Sequence, residues 1–179
     1  MAAPRPLTVH SVEGIVRGVK KRILEALATG LYLGKIPKAP GTFGTLLGIP
    51  LAWLMATYLS PVAYMIGTII FLLFSIVVAE LYERLFVVHD AKEIVIDEVI
   101  GYIIAMTWLP LTWQSFLAAF VVFRIFDILK PGPIRVIDQR VKGGLGTVLD
   151  DVAAGLVTSI ILQIVLRETH WLGGPGYAS

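Results

Sequence analysis

No charged residue occurs between Ala39 and Ala79, a run of 41 positions. A run of that length is hard to bury in a water-soluble core of modest size. A bilayer accepts it as helix, because a helix satisfies its own backbone N–H and C=O groups without water. It is too long for one crossing and long enough for two. Ser60-Pro61 divides it. The first piece, about 44–59, carries Gly48 and Pro50 and is expected to be short, kinked or re-entrant. The second, 62–79, is the cleanest transmembrane segment. Composition agrees: 16% of residues are charged, against about 25% in a soluble domain.

Three further apolar segments follow. His89-Asp90-Ala91-Lys92-Glu93 reads as a helix start, with Asp90 as N-cap and Glu93 three positions later. It predicts a helix over about 91–109, stopped by Pro110. A short turn then leads to an antiparallel neighbour over 113–129, ended by Pro131 and Pro133. Residues 131–146, rich in Gly, Pro and charge, read as a loop. Thr147 is expected to cap a last helix reaching about 166. The fold expected is therefore all-α, a polytopic membrane bundle of five to six helices over 31–168. Residues 1–30 mix Arg17, Lys20, Lys21 and Arg22 with Val16, Ile23, Leu24 and Leu27. They predict an amphipathic interfacial helix rather than a signal peptide. Residues 169–179 read as a flexible tail.

If segments 44–59, 62–79, 95–109, 113–126 and 152–166 alternate across the bilayer, every Lys and Arg except Arg167 falls on one side. The positive-inside rule makes that side cytoplasmic. Four or five crossings fit best, and any one segment is alternatively a buried core helix. No basic, aromatic-interleaved surface points to nucleic acid.

The acidic residues gather at the same rim. Asp97 and Glu98 lie in the second turn of one expected helix, Arg124 and Asp127 in the last turns of the next, and Asp150 and Asp151 open the last. Carboxylates beside apolar segments are costly, so a paired or functional role is the expectation. Three or more meeting at one place suit Mg²⁺, which prefers hard oxygen ligands and activates water against a phosphate. Asp97 has Gly101 four residues on, and Asp151 has Gly155. A small residue one turn beyond an acid admits a close neighbour. Upstream, Lys35, Lys38, Gly41, Thr42, Gly44 and Thr45 offer positive charge, hydroxyls and, if a helix starts near Thr42, free N–H groups for an anion.

Each feature also has a plainer reading. Asp150 completes a capping box with Thr147. Asp97 or Glu98 forms a structural ion pair with Arg124. Lys35 and Lys38 are interfacial lysines, and Gly41, Gly44 and Gly48 serve helix packing. Arg135, Asp138, Arg140 and Lys142 read as a solvated loop.

Four motifs in order resemble the phosphatidylglycerophosphatase A family. They are Leu33-Gly34-Lys35 through Pro40-Gly41-Thr42-Phe43-Gly44-Thr45-Leu46, then Ile94 to Gly101 around Asp97-Glu98. Phe123-Arg124-Ile125-Phe126-Asp127-Ile128-Leu129-Lys130-Pro131 and Gly146 to Gly155 around Asp150-Asp151 complete the set. The resemblance implies Mg²⁺-dependent hydrolysis of phosphatidylglycerophosphate at the cytoplasmic face of a bacterial inner membrane. Joined to the reading of the residues, it makes Asp97, Glu98, Asp127, Asp150 and Asp151 the expected metal ligands and catalytic acids. Lys35, Lys38, Thr42, Thr45, Arg124 and Lys130 are the expected phosphate contacts. The chain lacks cysteine and any Asp-x-Asp pair, which leaves metal-activated water as the chemistry. A cation transporter or channel using the acidic rim is the alternative; acids spread through the membrane depth would favour it. A phosphotransferase also uses carboxylates and Mg²⁺, but its Asp-Gly…Ala-Arg spacing is not found. Oligomeric state is not readable.

Overall fold

The computed structural model describes the backbone of residues 9–87 and 91–173, with side chains from residue 17 onward. Seven α-helices follow in order: α1 Val9–Ala28, α2 Pro40–Tyr58, α3 Pro61–Phe86, α4 Ile96–Ala105, α5 Trp113–Leu129, α6 Pro133–Arg140 and α7 Gly143–Glu168. A 3₁₀ turn, Leu33–Lys35, joins α1 to α2. No strand occurs among the described residues. The all-α expectation is met, and six of the seven helices, α2 to α7, lie within 31–168.

Local chemistry explains most boundaries. Ser60 accepts a hydrogen bond from the Ala63 N–H at 3.3 Å and Pro61 takes the first helical position, so the break in the uncharged run is a capped helix start. Thr112 does the same for α5, accepting from the Ser115 N–H at 3.2 Å. Helix α5 occupies the residues expected and ends with Lys130 in the left-handed region.

The other boundaries moved. Helix α3 runs through the polar stretch to Phe86, supported by an Arg84–Glu80 pair one turn apart. The start expected near Asp90 falls partly outside the described residues. Helix α4 begins only after Val95, whose N–H donates to the Ala28 carbonyl at 2.9 Å. Asp97 and Glu98 therefore lie in its first turn, not its second. The presumed loop 131–146 contains α6, with Pro133 as its first residue and Ile134 buried against the bundle.

The start of α7 is the clearest correction. It begins at Gly143, one turn before Thr147. The Gly144 N–H donates to Glu80 Oε2 at 2.7 Å, and the Thr147 hydroxyl donates to Glu83 Oε1 at 2.7 Å. Glu80 of α3 thus satisfies an N-terminal N–H of α7 from a distance, where a carboxylate also suits the helix dipole, and Glu83 holds the Thr147 side chain. Thr147 is not an N-cap, and the capping-box reading of Asp150 falls with it.

Helix α4 is the centre of the bundle. It is ten residues long, so it reaches about 15 Å, half the roughly 30 Å of a hydrocarbon core. By itself it does not cross, and the core-helix alternative holds for that segment. All its residues except Glu98 are buried, against α7, α2, α3 and α5. Tyr64 of α3 donates to the Ile103 carbonyl at 2.7 Å, and Tyr102 donates to the Phe116 carbonyl of α5 at 3.0 Å.

Helices α3 and α7, each 26 residues, are long and apolar enough to cross a membrane. Their outer faces leave Ile66, Ile70, Leu73, Leu156, Ile160 and Ile164 exposed, a surface better matched to lipid than to water. Beyond α7, Leu172 is fully buried, and its carbonyl accepts from the Thr112 hydroxyl at 2.6 Å.

Candidate metal centre

The glycines one turn beyond the acids decide the geometry. A Cβ on Gly155 would sit 2.3 Å from the Gly101 carbonyl oxygen, and a Cβ on Gly101 would sit 2.9 Å from that of Asp151. Helices α4 and α7 therefore cross backbone against backbone. The paired Asp-to-Gly spacing is the two sides of one crossing, and it carries the acids on both helices to one place.

One oxygen each from Asp97, Glu98 and Asp151 lies within 4.8 Å of the others. Ligands about 2.1 Å from a Mg²⁺ ion stand up to about 4.2 Å apart across it, so a small inward rotation closes the set. Asp97 is 8% exposed and Asp151 3%. Packing buried carboxylates together is costly unless positive charge joins them. Glu98 Oε2 is buried without a hydrogen-bond partner among the described residues. An all-oxygen set with an unsatisfied oxygen fits a hard divalent cation.

The remaining expected residues arrange themselves around this triad. Asp127 stands outside the triad and pairs with Arg124. Arg124 also lies 3.7 Å from Glu98, so the ion-pair reading and the site reading describe the same group. Its Nε is buried without a partner among the described residues. Asp150 is buried beside the triad, also outside it, and receives Lys130. Lys130 bridges Asp150 and Asp138. Burial works against its charge, but the two carboxylates outweigh it and hold the ammonium above its usual range. Asp138, read from sequence as a solvated loop residue, is therefore part of the wall. Its signal was Pro133, a helix start inside a presumed loop.

The upstream motif behaves differently from expectation. Lys35 pairs with Glu25, and that hydrogen bond raises its pKa. Lys38 is exposed. The stretch Gly41–Thr45 lies at the start of α2, which begins at Pro40, close to the start considered near Thr42. The Thr45 hydroxyl is committed to the Gly41 carbonyl at 2.8 Å, and the Thr42 N–H to the Ala39 carbonyl at 3.0 Å. The motif's contribution is closeness: a Cβ on Gly41 would lie 2.1 Å from Glu98 Oε1, and one on Gly44 would lie 2.7 Å from the Val95 side chain. The glycines let α2 seal the acidic cluster. A larger apolar cavity, about 1150 Å³ between α3 and α7, holds none of the triad.

A family model described as phosphatidylglycerophosphatase A matches residues 26–166. A Haemophilus influenzae protein named Phosphatidylglycerophosphatase A is 38% identical over 150 residues, covering 83% of this chain and 90% of its own length. An Escherichia coli K12 protein of the same name is 38% identical over 146 residues, covering 81% and 83%. A Bacteroides thetaiotaomicron protein, provisionally named a phosphatidylinositol-3-phosphatase, is 33% identical over 151 residues, covering 77% and 90%. No solved structure matches the chain.

Proposed function

Because the chain belongs to the phosphatidylglycerophosphatase A family, we propose that it hydrolyses phosphatidylglycerophosphate to phosphatidylglycerol and inorganic phosphate. The site is the Asp97–Glu98–Asp151 cluster with Mg²⁺ bound. The observation that carries this reading is the meeting of three carboxylate oxygens from two helices within 4.8 Å. A divalent cation bound there offsets phosphate charge and makes water a stronger nucleophile at neutral pH.

The other side chains orient the reaction. Arg124, held by Asp127 and near Glu98, turns its unpartnered Nε toward a phosphate oxygen. The attacking water gives up its proton to solvent, while Asp127 keeps Arg124 in place. A P–O bond forms to that water as the P–O bond to the head-group oxygen breaks, and the leaving oxygen regains a proton through solvent. Lys130 keeps positive charge at the rim where negative charge gathers. The commitments of Lys35 and Thr45 remove them from this scheme. Asp150 belongs to the neighbouring wall instead of the metal.

The membrane placement follows the same logic. Helices α3 and α7 cross an inner membrane, with α2 and α5 beside them, and the cluster opens to the cytoplasm. Val19, Ile23 and Leu27 lie on one exposed stripe of α1, four residues apart, next to Lys20, Lys21 and Arg22. That pattern suits a helix resting on an anionic surface.

The test is phosphate release from phosphatidylglycerophosphate by purified protein. Loss of release with a chelator and recovery with Mg²⁺ are expected. Ion flux through liposomes without phosphate release would replace this reading with a transporter, although acids gathered at one crossing do not make a path through the bilayer.

A further inference from the structure

A second polar cavity, of about 300 Å³, lies between α6 and the first turns of α7. Asp138, Gln139, Lys142, Gly146, Thr147 and Asp150 line it. Asp150 and Asp151 are consecutive on α7, so their side chains leave the helix about 100° apart. Asp151 joins the triad while Asp150 lines this cavity, and the two spaces share a wall.

That wall is chiefly an acceptor. Asp150 is 5% exposed. Its Oδ2 receives Lys130, and its Oδ1 is buried with no hydrogen-bond partner among the described residues. Asp138 also gives an oxygen to Lys130. The Thr147 hydroxyl has its proton committed to Glu83, which leaves its lone pairs. One half-buried ammonium thus serves two carboxylates. The unsatisfied Asp150 oxygen favours a hydrogen-bond donor, because a buried acceptor left unsatisfied costs about 1–3 kcal/mol. The terminal torsion of an aspartate is soft, so one oxygen turns to the cavity while the other keeps Lys130.

We propose that this cavity receives the hydroxyl-bearing part of the lipid head group, a polyol segment adjoining the phosphate that is removed, with Asp150 as its acceptor. The inference rests on the phosphatase reading and adds what that reading lacks, a basis for choosing the head group. In a glycerol head group the free hydroxyl stands on the carbon next to the one carrying the phosphate ester. A phosphate at the triad and a hydroxyl at Asp150 therefore need only the separation of two neighbouring side chains. A lipid phosphomonoester without that hydroxyl strands the Asp150 oxygen.

The experiment compares kcat/KM for phosphatidylglycerophosphate with that for the same lipid carrying hydrogen in place of the head-group hydroxyl. The unmodified enzyme is expected to prefer the hydroxylated lipid by about tenfold or more, the factor that follows from one unsatisfied buried acceptor. Asp150→Ala is expected to bring the ratio close to one even if it also slows both reactions, and Gln139→Ala to lower it in part. A ratio near one in the unmodified enzyme overturns the inference and leaves the phosphatase reading standing. So does an undiminished ratio in Asp150→Ala. Inactivity of the unmodified enzyme on both lipids removes both readings. If Asp150→Ala does not fold, the unmodified ratio and Gln139→Ala decide.

Discussion

At the scale of single residues, the five acids divide into unequal roles. Asp97, Glu98 and Asp151 share one small volume, while Asp127 and Asp150 each face a cation of the chain itself. In the proposed scheme, replacing a triad member removes a metal ligand, and replacing Asp127 disturbs a neighbour. Asp127→Asn is accordingly expected to weaken metal dependence or activity by about 10–100-fold, the usual cost of an outer-shell partner. Asp97→Asn and Asp151→Asn should cost more, with activity partly recovered at high Mg²⁺. A metal titration of phosphate release separates the two cases, and equal, Mg²⁺-insensitive losses in all three variants would contradict the division. Lys35→Ala should leave kcat/KM near the unmodified value, since Glu25 already occupies that ammonium. The five acids stood out in the sequence as candidates, because charge beside an apolar segment is conspicuous. Their division was not, because it depends on which way neighbouring helices present them.

At the scale of elements, the site depends on the crossing of α4 and α7. Gly101 and Gly155 bring the two backbones into contact, and any Cβ there must push them apart. Gly155→Ala is expected to destabilise the fold by about 1–3 kcal/mol, the range for overpacking, and to reduce phosphate release beyond the loss explained by unfolding. Thermal unfolding and activity at a temperature where the variant is folded measure both effects. Tyr64→Phe tests a different joint. It deletes the bond from α3 to the Ile103 carbonyl and should cost about 1 kcal/mol with little change in metal requirement. The extent of α5 was readable because Thr112 and Pro131 punctuate it. The start of α7 was not, because the acid that caps it, Glu80, lies 64 residues before Gly144 in the chain.

At the scale of the whole molecule, an apolar perimeter surrounds a buried acidic centre. The placement proposed for it makes a prediction that the absence of cysteine renders simple to test. A lone cysteine at Arg140, on α6, should react with an impermeant maleimide only from the cytoplasmic side. One at Ser60, between α2 and α3, should react only from the opposite side. Labelling of both from one side would overturn the orientation. The sequence by itself determined the helical class, the Ser60-Pro61 break, the rim of acids and the family likeness, since these follow from charge, periodicity and local capping along the chain. Tertiary structure alone decided that α4 is a core helix, that α6 exists as a wall, that Thr45 and Lys35 are already committed, and that three of the five acids converge. The reason is physical: a carboxylate's role is set by the charges and backbone that reach it through space, and those come from helices far away in sequence.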